Sequence, residues 1–398
     1  MRRVLPLAAA LGGWAIACQV FVTLEVTTEP TLVDAGADVV RPTNEVPRPM
    51  TACDETTFAP PSVAGGIGPT YDVALAYLEV DPSGKSLAGD AGVDLCPNVG
   101  FDLDQKRTCI DDTGQSTGSA QCPGDASGCA WGASCKNPNL KTNCDSPGGV
   151  DNSFGLVANA TFLGAIPGVN PNDVLPTAAL ANGSRNVLMR IVGYDGEAYD
   201  DDVKIQIFGS TGLATTTRAL PDTGLDGGPI WDRRSRREWY IDPVTVHDGS
   251  RVPNVIADAY VHNYVLVGRA ASFPMPLGAT GVLSLEDVRI AGELRRSDDS
   301  WSIVKGRIGG HIRLRPLLAT IYSLSIASAG QLRQICHSDF VDAIHQHACE
   351  LADLSSDGGE GCDAISFGAA FAAVPAILGD KRAVSFANNP CDASVECP

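Results

Sequence analysis

Three groups of residues in this chain have the types and spacing to do chemistry. The first is His345-Gln346-His347, which has the composition of a metal pair. Its surroundings keep helical spacing, however, and residues two apart on a helix point roughly 200° from one another, so the pair cannot share an ion. Surface histidines are the plainer reading. The second group is Asp195, Glu197, Asp200, Asp201 and Asp202. Carboxylates this close repel unless a cation or water screens them, and hard oxygen ligands suit calcium. The cluster therefore reads as a structural calcium loop or as a solvated acidic loop. The third is the basic run Arg233, Arg234, Arg236 and Arg237, flanked by Trp231, Trp239 and Tyr240. Guanidiniums beside aromatic rings suit stacking on sugars or bidentate contact with anionic groups. The competing reading is a charged loop paired with acidic neighbours, its tryptophans packed inside.

Other chemistry is thinly supported. Asp102, Asp104, Asp111 and Asp112 have the ligand type of a calcium loop, but Arg107 stands where an EF-hand needs its glycine. There is no Gly-x-Ser-x-Gly elbow, no P-loop and no His-Glu-x-x-His. Gly65-Gly66-Ile67-Gly68 precedes a strand instead of following one, so it is not a dinucleotide turn. A glycan hydrolase working through two carboxylates stays open as an alternative, because such a pair is defined only in three dimensions.

The elements that would position these groups are mainly strands. Residues 73–80, 187–192, 203–207, 260–267, 283–294 and 301–308 alternate or run apolar in the manner of strands. Val187–Val192 is nearly all apolar, which predicts a strand covered on both faces. Leu283 and Leu285 keep one phase while Val288, Ile290 and Leu294 keep the other, the pattern a β-bulge leaves. Helical spacing is confined to 314–325 and to 338–351, the latter capped by Ser338. Ser366–Leu378 fits a small-residue strand or a buried helix, with Pro375 weighing against the helix. The expected fold is a mainly β body, an antiparallel β-sandwich or jelly roll over 51–335, with a disulfide-rich loop insertion and a small helical C-terminal segment at 336–398.

Composition bounds the class. The chain has 398 residues, a net charge of −18, 44% hydrophobic residues, 42 Gly and 26 Pro. That is enough apolar content for a core and enough Gly and Pro for a turn-rich fold. The acidic balance excludes nucleic acid as the expected partner. Arginine excess (22 Arg against 7 Lys) runs through the whole chain and weakens any inference from a single arginine run.

The leader says where the protein goes. Arg2 and Arg3 precede an apolar run from Val4 to Ile16, too short to span a bilayer but suited to a signal peptide. The run ends Ala15-Ile16-Ala17-Cys18. This resembles the lipobox of bacterial lipoproteins, although Ala15 stands where that family usually has a branched residue. The resemblance covers residues 1–18 and implies that Cys18 is lipidated and becomes the mature N-terminus. Gln19, not Asp, follows the cysteine, which by the same resemblance points to the outer membrane or cell surface. Ala-Ile-Ala also satisfies the ordinary cleavage rule, which would release a secreted protein. Residues 18–50 hold Pro30, Pro42, Pro47 and Pro49 among polar residues and read as a flexible tether, with a reach of roughly 30 Å.

Thirteen cysteines become an even twelve once Cys18 is set aside. No Cys-x-x-Cys occurs, so zinc ribbons and thioredoxin-like sites are excluded. Cys96, Cys109, Cys122, Cys129, Cys135 and Cys144 fall in one Gly- and Asp-rich stretch, while Cys336, Cys349, Cys362, Cys391 and Cys397 lie near the end and Cys53 follows the tether. In an exported chain these read as disulfides, with pairings left open. The stretch 96–144 is then a stapled insertion or a displayed binding loop. Taken together, the sequence predicts an exported, lipid-anchored envelope protein without enzymatic activity or cofactor beyond a calcium, binding a glycan or an envelope protein through displayed loops. The alternatives are a glycan-active hydrolase and a structural component with no ligand site.

Overall fold

A computed structural model of the chain describes residues 70–81, 99–101, 103, 151–154, 180, 183–214, 236–277, 281–297, 300–323, 325–328, 331–337, 341–354 and 362–383. The strands, in chain order, are β1 (Tyr71–Asp81), β2 (Asn186–Tyr194), β3 (Tyr199–Leu213), β4 (Arg237–Ile241), β5 (Val255–His262), β6 (Val265–Leu277), β7 (Gly281–Ser297), β8 (Ser300–Arg313), β9 (Ser325–Ser328), β10 (Gln331–Gln334) and β11 (Ala364–Lys381). Two helices, α1 (Leu314–Ser323) and α2 (Val341–Leu351), lie between β8 and β11.

The order β1-β2-β3-β5-β6-β7-β8-β11 closes on itself, every neighbour antiparallel. The molecule is an eight-stranded β-barrel, and the expected sandwich or jelly roll is overturned. The closing contact is β1 against β11, in register from Leu75↔Pro375 to Asp81↔Ala370. A sandwich leaves two sheets with open edges; here the first strand's edge is taken by the last strand, and the ring has none.

Alternation fills the barrel with apolar side chains. Val73, Leu75 and Tyr77 of β1, Met189 and Ile191 of β2, and Phe367 and Phe371 of β11 belong to one buried cluster that draws on all eight strands. Tyr77 sits at its centre, its ring 4.6 Å from that of Phe371 and 5.6 Å from that of Phe273. The space there is fully used: a Cβ on Gly306 would lie 2.7 Å from the Phe371 ring. The inward faces of α1 and α2 (Leu317, Leu318, Ile321, Ile344, Ala348) join the same core.

The outer face is charged. Arg190 pairs with Asp72 across β1–β2, Lys204 with Asp258 at 2.6 Å across β3–β5, Arg269 with Asp287 at 2.7 Å across β6–β7, and Arg313 with Glu286 at 2.9 Å across β7–β8. Exposed pairs of this kind contribute about 0–1 kcal/mol each. Their significance is that they require water: barrels that span membranes are apolar outside and polar within, the reverse of this wall.

β4 builds a second compartment. It pairs antiparallel with the end of β3 (Ser210↔Ile241, Leu213↔Trp239) and parallel with the end of β11 (Ala376↔Arg237, Leu378↔Trp239). It thus closes a smaller ring over the outer faces of β1 and β2. Ala76, Leu78, Leu188, Phe208, Trp239 and Ile241 form the second core. Both faces of β2 are therefore covered, which is why its sequence runs apolar. Pro375 lies between Ala373, the last residue of β11 paired with β8, and Ala376, the first paired with β4. A residue without an N–H is tolerated at such a change of partner.

The flanks of the cysteine-rich insertion are pinned to the barrel. The Asp151 amide donates to Phe101 O (3.0 Å), and the Leu103 amide donates to Asp151 Oδ2 (2.7 Å). Arg307, buried on the outer side of β8, stacks its guanidinium 4.9 Å from the Phe101 ring centre. Residues 104–150, with the insertion's cysteines from Cys109 to Cys144, lie outside the described residues, as does Cys96.

Candidate functional site

The arginine–aromatic run divides at β4. Period-two alternation turns Trp239 and Ile241 into the second core, where Trp239 is fully buried. The stacking role expected of Trp239 is thereby excluded, and its packing role takes its place. Tyr240 faces outward, half-buried, with the Arg382 guanidinium 5.1 Å from its ring centre. Arg236 is exposed and Arg237 half-buried. Trp231, Arg233 and Arg234 lie outside the described residues.

Directly after β4 the chain forms a short hairpin, residues 243–254, with no counterpart among the expected elements. Asp242 caps its first turn, the Val244 amide donating to Asp242 Oδ1 at 3.1 Å. The His247 amide donates to Val252 O (2.9 Å) and the Asn254 amide to Thr245 O (2.8 Å), holding the two arms together. Arg251 bridges to Asp380 at 2.6 Å, and Lys381 Nζ donates to Ser250 O at 3.2 Å, so the hairpin is braced against the end of β11. Val246 is buried in the second core, whereas Val244 is 77% exposed and Val252 48%, and Ile256, where β5 begins, is 50% exposed. Isolated exposed apolar residues are ordinary, but two on a braced hairpin and a third at the adjoining start of β5, beside an outward tyrosine–arginine stack, form a surface suited to contact. The signal was present as Asp248-Gly249, a turn dipeptide, between Val246 and Val252.

The acidic group does not assemble a calcium site. Asp195 and Asp200 are buried, and their oxygens accept backbone hydrogen bonds: the Asp195 amide donates to Asp200 Oδ2 (2.8 Å), the Glu197 amide to Asp195 Oδ1 (2.8 Å) and the Asp202 amide to Asp200 Oδ1 (3.1 Å). Glu197, Asp201 and Asp202 are exposed. Among the described residues no three His, Cys, Asp or Glu side chains are grouped to hold a metal. The carboxylates close the β2–β3 turn instead. Burial pushes the Asp200 carboxyl above its ordinary pKa, opposed by the amides of Asp195 and Asp202.

A buried polar network invites comparison with a catalytic site. Asp353 Oδ2 accepts from Ser153 Oγ (2.7 Å) and Ser366 Oγ (2.6 Å), and Asp353 Oδ1 accepts from the Ser366 amide (2.7 Å). Both hydroxyls donate to a carboxylate and, among the described residues, no imidazole takes part, so neither serine is placed as an activated nucleophile would be. The network ties the 151–154 segment to β11.

Cys336 before α2, Cys349 within it and Cys362 after it are in disulfide bonds. Cys18, Cys53, Cys391 and Cys397 lie outside the described residues. Comparison with known families, characterised proteins and solved structures finds no match for this chain.

Proposed function

We propose that the protein is an exported envelope lipoprotein, lipidated at Cys18, whose barrel is a rigid scaffold for a contact surface made by the 243–254 hairpin, the start of β5 and the outward face of β4. The observation that carries this reading is the exposure of Val244 and Val252 on a hairpin braced by Arg251–Asp380, with Ile256 exposed where β5 begins. A loop that served only to connect β4 to β5 would not need apolar side chains in water; a loop that meets a partner does. Tyr240 and Arg382 beside it extend the surface toward a protein or a glycan. The hydrolase alternative needs two carboxylates facing each other across a cleft, whereas Asp72, Asp258, Glu286, Asp287 and Asp380 each face an arginine or lysine.

Site-specific photocrosslinking in intact cells tests the surface. A photoreactive residue in place of Val244 or Val252 is expected to give a discrete adduct. One in place of Ala271, exposed on the barrel wall in β6, is expected to give none. Equal adducts from all three positions, or none from the hairpin, would contradict the proposal. Lipidation is checked separately with radiolabelled fatty acid: the wild type is expected to take up label and Cys18→Ala to remain unlabelled.

A further inference from the structure

The barrel wall pairs its charges locally, whereas the outward face of β4 and the end of β11 does not. Ala376 and Leu378 turn into the second core, so Ile377 between them faces outward and is 47% exposed. Glu238 lies opposite Ile377 in the parallel register, on the same outward side as Tyr240, because Trp239 between them is buried. The Glu238 side chain crosses Gly379, where a Cβ would come within 2.9 Å of its Oε1. Among the described residues no cation lies within ion-pair distance of that carboxylate. Lys381 and Arg382 are the converse. Lys381 Nζ donates to Ser250 O at 3.2 Å, and the Arg382 guanidinium lies 5.1 Å from the Tyr240 ring centre. Neither meets a carboxylate among the described residues. Charges of both signs, unmatched within the chain, thus border the exposed side chains of Ile377, Val244 and Val252.

We infer that this face joins two copies of the chain about a two-fold axis, Glu238 of each meeting Lys381 and Arg382 of the partner subunit around a shared apolar centre. The inference rests on the contact surface proposed above and names its partner. A two-fold contact is self-complementary: whatever a residue meets across the axis, its symmetry mate meets in return. A face that leaves one carboxylate and two cations unmatched is completed by its own copy, where each pairing occurs twice. A chain of net charge −18 repels its own copies at long range, so association needs a face on which the charges cancel. The aliphatic side chains and Tyr240 supply the apolar middle that a protein interface requires. Other occupants fit less well. A glycan stacks on open aromatic faces, and the Tyr240 ring already carries Arg382. An anionic lipid surface is repelled by Glu238 and by the exposed Asp248 at the hairpin tip.

Sedimentation velocity of the purified protein over about 1–100 µM tests this. The wild type is expected to pass from monomer to dimer across that range. Ile377→Asp, Glu238→Lys and the double variant K381E/R382E, each checked for wild-type thermal unfolding, are expected to weaken the dimer by about tenfold or more. The triple variant E238K/K381E/R382E exchanges the two signs and is expected to regain most of the lost affinity. Arg313→Gln, on the barrel wall in β8, should dimerise as the wild type does. A wild type that stays monomeric, a dimer that the three disruptive variants leave intact, or a charge exchange that restores nothing would each overturn the inference. In cells, the chain with a photoreactive residue at Val252 is expected to give an adduct of twice the monomer mass. A discrete adduct with a different protein would overturn self-pairing and keep the contact surface, whereas the absence of any hairpin adduct would remove both.

Discussion

Tyr77 places a hydroxyl in the middle of an apolar barrel, between Phe273 and Phe371, and among the described residues nothing accepts from it or donates to it. Burial pushes its phenol well above the ordinary pKa. Tyr77→Phe keeps both ring contacts and removes the desolvated oxygen, so stability in urea should stay level or rise by about 1 kcal/mol. A fall of that size would show that the hydroxyl is satisfied. Asp353 is the opposite case, with both carboxylate oxygens engaged. Asp353→Ala strands two buried hydroxyls and an amide and should cost about 2–4 kcal/mol in the same measurement. Asp200 has its own pH signature. Its folded pKa is raised, so its contribution is fully present below the unfolded value and declines as pH rises through the folded one. The stability gap between wild type and Asp200→Asn should therefore shrink from about pH 4 upward; a gap that widens would contradict the role given to burial. Residue types flag these acids in the sequence, but not their task. Spacing shows that carboxylates are near one another and cannot show that backbone amides of a tight turn will occupy them.

At the scale of elements, the strands with clean alternation are legible: β1, β2, β3, β7 and β8 lie where the pattern puts them, and the change of phase in β7 coincides with its register shift at Glu286/Arg289. α1 and α2 also fall on the segments with helical spacing. Residues 260–267 mislead because they hide a two-residue hairpin turn. Asn263 and Tyr264 both have positive φ (51° and 63°), a turn that usually announces itself with glycine at the second place. Trp239 misleads because its arginine neighbours suggest exposure, whereas β4 alternates and turns it inward. Trp239→Ala should accordingly act as a core deletion, lowering unfolding free energy by about 3–5 kcal/mol. Val244→Asp should leave unfolding within about 0.5 kcal/mol of wild type, as expected of an exposed position. If Trp239→Ala proved as mild as Val244→Asp, the second core would not be what holds β4 in place.

For the whole molecule, the missing piece is closure. Alternation predicts a face to bury, not whether a sheet buries it against a second sheet or against itself, and the deciding contact joins β1 to β11 at the far ends of the domain. The closing strand is also the least legible, since its run of Ala and Gly suits a strand or a helix and only Pro375 weighs against the helix. With Tyr77, Phe273 and Phe371 inside and Arg190, Lys204, Arg269 and Arg313 outside, the described barrel wall is built for water, and on the reading proposed above attachment falls to a lipid at Cys18 and a tether of residues 18–50. The most direct test is to place a specific protease site within that tether and cut it on isolated membranes. The account predicts that residues following the cut leave with the aqueous supernatant, folded, while the lipid-bearing remnant stays behind. A barrel that remained with the bilayer after complete cleavage would contradict it.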